Sequence, residues 1–95
     1  MSYLSKIHAA INPKLEDTVN KLMADQKFLH AIPDMISASE AGIVVGHSQQ
    51  KPEMVKFNSL ALTFFKAVHT KDIGATLNAA DALCKAGHGE AFGLK

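Results

Sequence analysis

The sequence predicts an all-α fold, a small bundle of four to five short helices that ends in a C-terminal helical hairpin. Three observations carry this expectation. Each of the three prolines stands just ahead of an apolar run with helical spacing, the place where a proline is tolerated in the first turn. Asn12, Asp25 and Asp72 stand where N-caps are needed, and Gly46 and Gly87 where helices could stop. The apolar residues of the long segments recur at helical spacing, on one face of each segment.

Taken in order, Tyr3, Leu4, Ile7 and Ile11 suggest a short N-terminal turn or helix. Asn12-Pro13 then opens a helix to about Ala24 with Leu15, Val19, Leu22 and Met23 on one face and charged residues around the rest. Asp25 caps a short piece from Gln26 to Ala31 that buries Phe28 and Leu29. Pro33 starts another helix, with Met35, Ile36 and Ile43 inward and Gly46 as its end. The segment Gly42 to Gly46, "GIVVG", is the one place where β-branched residues favour an extended chain. With no partner strand in sight, it is assigned to the end of that helix.

A further helix runs from Pro52 to about Thr70. Its polar positions Lys56, Ser59, Thr63, Lys66 and Thr70 form one narrow stripe, so most of its circumference requires burial. Asp72 caps the last helix. Ile73, Leu77, Ala80 and Cys84 lie on one of its faces, and Ala75, Ala79, Ala82 and Ala86 lie nearly opposite. An alanine face lets another helix approach closely. The layout of "ALTFFKAVHTKDIGATLNAADAL" resembles a tetratricopeptide hairpin, but only one copy is present.

A chain of 95 residues accommodates one domain, spanning 1–95. Its net charge of +1 proposes neither a polyanionic nor a polycationic partner. All ten basic residues are lysine, which removes the planar two-point clamp that arginine offers to guanine and phosphate and argues against nucleic acid. One cysteine cannot form an internal disulfide, and the first residues carry no charged segment leading into an apolar run, so the expected location is cytoplasmic. No apolar run of roughly 20 residues is evident, which predicts no membrane span.

The stretch "ADALCKAGHGEAF" is the one place where a cofactor motif comes into view. Cys84-Lys85-Ala86-Gly87-His88 resembles the Cys-x-x-Cys-His haem attachment site at the end of the last helix in four-helix cytochromes of the c-prime type, with Gly87 where the second cysteine would stand. That resemblance implies Cys84 as a thioether and His88 as an axial ligand, in a haem-binding electron-transfer or sensor protein. The residues themselves also fit a glycine-capped helix end, with Cys84 as a small hydrophobe. No cofactor or metal is assigned. The histidines are scattered, HExxH and Cys-x-x-Cys are missing, and no glycine spacing matches a phosphate loop.

The expected function is therefore non-catalytic: association with a protein partner or a second copy, as an assembly component, adaptor or inhibitor. The expected contact residues are Phe57, Phe64 and Phe65 where the fold leaves them uncovered, with Ala75, Ala79, Ala82 and Phe92.

Overall fold

The computed structural model describes residues 13–94. The expected turn at Tyr3 to Ile11 lies outside these residues. Four α-helices follow one another: α1 (Pro13–Ala24), α2 (Gln26–Ser48), α3 (Pro52–His69) and α4 (Ile73–Lys85), then a 3₁₀ turn over Glu90–Phe92. The fold is an all-α bundle, and no strand occurs among the described residues.

Two of the expected N-caps form, Asn12 lies outside the described residues, and Gly46 is inside a helix rather than at its end. The Asp25 carboxylate accepts hydrogen bonds from the backbone N–H groups of Lys27 (2.9 Å) and Phe28 (3.4 Å). Asp72 accepts one from the Ala75 N–H at 3.0 Å. Pro52 occupies the first turn of α3. Each of α2, α3 and α4 ends in a left-handed residue followed by a backbone bond that reaches back across the turn: Lys51 N–H to Gly46 O (2.8 Å), Asp72 N–H to Ala67 O (3.1 Å) and His88 N–H to Leu83 O (2.8 Å). This is the Schellman arrangement, which satisfies carbonyls that the helix leaves without partners. Gly87 takes the left-handed position at φ 85° without strain, whereas Gln50 (54°) and Lys71 (59°) take it as non-glycine residues. Lys51 and Asp72 each close one helix and cap the next, which keeps the connections short.

One expectation is corrected. The separate helices Gln26 to Ala31 and Pro33 to Gly46 are a single helix of 23 residues, with Pro33 inside it and its C-terminal end at Ser48. Pro33 has no N–H to give the Leu29 carbonyl, a defect that usually breaks a helix. Here Pro33 is exposed, so water can take up that carbonyl, while Phe28, Ile32, Met35 and Ile36 hold both sides of the break onto the core. Replacing Pro33 with alanine restores the bond. Pro33→Ala is expected to raise stability by about 1–2 kcal/mol, the helix gain being partly offset by a freer unfolded chain. A urea midpoint that falls instead would show that the break is needed to aim α2.

"GIVVG" is helical, and its glycines explain why. Along α2 the residues directed at α3 recur at alternating spacings of four and three: Phe28, Ile32, Met35, Ser39, Gly42 and Gly46. A Cβ on Gly42 would stand 2.5 Å from the Asn58 side-chain amide, and one on Gly46 would stand 2.7 Å from a Val55 methyl. The two helices run antiparallel and come close at these glycines, where an added Cβ would meet α3. Asn58 is held in place by its own Nδ2–H bond to Met54 O at 2.9 Å.

The core is built on Phe64, Leu77, Leu83, Val19, Val68 and Ile32, which are all fully buried. Phe64 meets Phe28, Phe65 and Phe92 with ring centroids 6.4, 5.7 and 6.1 Å apart. Helix α4 packs on α3 and on α1, and α2 packs along α3. The result is an elongated body of 46 × 26 × 22 Å.

Candidate interaction surface

The C-terminal residues are placed first. The Cys84-to-His88 stretch forms the helix stop: Ala86 caps, Gly87 turns the chain at φ 85° and its N–H bonds to Cys84 O at 3.0 Å. Cys84 is half-buried against the core. The His88 ring meets Phe57 edge to face, with centroids 4.9 Å apart. Sulfur and imidazole thus serve packing on the two sides of a turn. Among the described residues no three His, Cys, Asp or Glu side chains gather as a metal site.

The seven expected contact residues divide. Phe64 and Phe65 are buried inside the chain, as is Ala79. Phe57, Ala82 and Phe92 are half-buried, and Ala75 is exposed. Helix α4 packs against both α3 and α1, which buries Ala79 and half-buries Ala82 while Ala75 stays open to water. The last residues complete this cover. Phe92 packs on Phe57 (5.5 Å) and Phe65 (5.6 Å), Leu94 is buried, and its N–H bonds to Gly89 O at 2.8 Å.

The apolar surface that remains lies elsewhere, on α2. Only Ile32, Ser39 and Gly46 of its 23 residues are buried. Val44 is 68% exposed and Val45 38%, the two large apolar side chains most open to water among the described residues. Its most apolar 18-residue stretch has a mean hydropathy of 1.2, so this helix is long and apolar enough to cross a membrane. The expectation of no membrane span looked for a continuous apolar run; α2 passes on length and mean hydropathy while carrying Lys27, Asp34 and Glu40. By contrast the water-facing residues of α1 include Lys14, Asp17, Asn20 and Lys21, the ordinary pattern of an outer helix.

A cleft of about 790 Å³ lies beside the tip of the α2–α3 hairpin. Gly46, Pro52, Val55 and Leu60 supply its apolar wall, and His47, Lys51, Lys56 and Glu53 its polar edge. Lys85 and Asp81 form a surface ion pair at 2.8 Å on α4, where the Asp81 hydrogen bond and charge raise the lysine's pKa.

Sequence reasoning missed the exposed side of α2, although the spacing of Asp34, Ser37, Ala41, Val44 and Ser48 by three and four puts them on one side of a helix that starts at Pro33 as much as of the continuous one. No known family model matches the chain, and no curated protein or solved structure resembles it at a significant level.

Proposed function

We propose that the protein is a small non-catalytic helical module that works through protein–protein association, with a second copy of itself as its first partner, and serves as an assembly component, adaptor or inhibitor. The observation that carries this reading is the outer face of α2, an apolar helix with three buried residues out of 23 and with Val44 left 68% exposed. Ala41, Val44 and Val45 are exposed close together on this helix and leave apolar surface that a second protein surface can cover. The tight internal packing of the C-terminal aromatics leaves α2 as the larger open surface.

Sedimentation velocity over a hundredfold range of concentration tests the reading. The expected result is a sedimentation coefficient that rises with concentration, the behaviour of a reversible self-association. A constant value equal to that of one chain contradicts self-association.

A further inference from the structure

We infer that the C-terminal turn is a displaceable plug in an aromatic groove between α2 and α3, and that this groove docks a protein segment of matching chemistry. The segment carries a phenylalanine, a large apolar residue just before it and a leucine two positions after it. The inference goes beyond the self-association reading, because it uses another surface and another kind of partner.

The first ground is how the turn is held. Phe92 packs on Phe57, Phe65 and Phe64 with ring centroids 5.5, 5.6 and 6.1 Å away, and Leu94 is buried. The backbone bonds of the turn are its own: the Phe92 and Leu94 N–H groups donate to Gly89 O at 3.3 and 2.8 Å, and that of Gly93 to Glu90 O at 3.1 Å. Among the described residues no hydrogen bond or ion pair joins residues 90–94 to a helix. Just ahead of them His88 is fixed, with its N–H on Leu83 O and its ring against Phe57. The turn can therefore leave as a preformed unit, pivoting at Gly89, without breaking a hydrogen bond to the body. A segment held in this way is a unit of local opening.

The second ground is that the turn leaves part of the groove unfilled. A cleft of about 210 Å³ lies between the turn, at Ala91 and Phe92, and the two helices. Met35, Ala38 and Ala61 give it apolar wall, and Ser39 and Asn58 are its polar groups. Ala91 offers only a methyl group to this space. A segment that repeats Phe92 and Leu94 and has leucine or methionine in place of Ala91 makes the contacts of the chain's own turn and fills the cleft as well. That extra burial is what such a segment needs, because the tethered turn competes at an effective concentration on the order of millimolar. The apparent affinity of an outside segment is lowered by the fraction of chains in which the groove is closed.

Fluorescence anisotropy of a labelled peptide of residues 87–95, titrated with the full chain, tests the inference. The native peptide is expected to bind a Phe92→Ala chain at least tenfold more tightly than wild type, because that chain has lost its plug. An Ala91→Leu peptide is expected to bind the wild-type chain at least fivefold more tightly than the native peptide. Ala38→Glu in the chain is expected to cancel that preference by placing a charge on the cleft wall; Ala38 is exposed, so the fold tolerates it. Circular dichroism shows whether Phe92→Ala keeps its helices, and the two peptides on the wild-type chain decide the matter if it does not. Equal binding of the native peptide by wild type and a folded Phe92→Ala chain, or binding by neither, overturns the inference. So does an Ala91→Leu peptide that binds wild type no better than the native one, or a preference that survives Ala38→Glu. These failures leave the self-association reading standing, and a chain that stays monomeric leaves the peptide results unchanged.

Discussion

Phe64→Ala lowers the stability of the protein by about 3–5 kcal/mol, the range for removing a buried phenylalanine. Phe64 has no exposed surface and touches rings from three parts of the chain: Phe28 of α2, its neighbour Phe65 on α3, and Phe92 of the C-terminal turn. Truncation removes the side chain's own transfer energy and also opens a cavity between elements that cannot all close on it. A domain of this size has a total stability of roughly 5–15 kcal/mol, so the variant sits near the point of unfolding. Urea titration followed by circular dichroism measures this. The expected result is a midpoint moved sharply down, with Phe64→Leu between the variant and wild type. A loss below about 1 kcal/mol would mean that the three elements do not share one core.

Gly46→Leu costs about 3 kcal/mol, by the opposite mechanism of overpacking. Intrinsic preference predicts the reverse sign, because leucine is favoured over glycine inside a helix by nearly 1 kcal/mol. Contact decides the outcome: a Cβ at Gly46 would lie 2.7 Å from a Val55 methyl and 3.1 Å from the Val55 backbone nitrogen. The methyl can turn aside, but the backbone of α3 cannot move without opening the hairpin. The atoms nearest a Cβ at Gly42 are those of the Asn58 side-chain amide, so Gly42→Ala is expected to be the milder change. The same urea experiment checks both. A Gly46→Leu variant more stable than wild type would refute the close antiparallel packing of α2 on α3.

The helix ends were legible in the sequence because their causes are local. Asp25, Pro52 and Asp72 act within one turn of their own position, and Gly87 supplies the left-handed residue that ends α4. The polar stripe of α3 was legible for a related reason, since Lys56, Ser59, Thr63 and Lys66 are all exposed as their spacing implies. The continuity of α2 was not. Whether Pro33 begins a helix or lies within one depends on the packing of Phe28 and Ile32 before it and Met35 and Ile36 after it, which is a tertiary matter.

The exposed side of α2 was not legible for a related reason: Val44 and Val45 read as the end of a helix, and which side of that end meets water is decided by its packing against α3. The covering of α4 by both α1 and α3, and of Phe64 and Phe65 by the C-terminal turn, arises from contacts between elements distant in sequence. Gly42 and Gly46 held the missing signal. Two glycines one turn apart inside an apolar run mark the inner side of a closely packed helix, and so identify the valines between them as the outer side.

The proposal that this outer side meets a second copy is tested most directly by the molar mass of the wild-type chain, measured by light scattering across a dilution series. The account predicts a mass approaching twice that of one chain at high concentration, falling toward that of one chain on dilution. A mass of one chain at every concentration would contradict it.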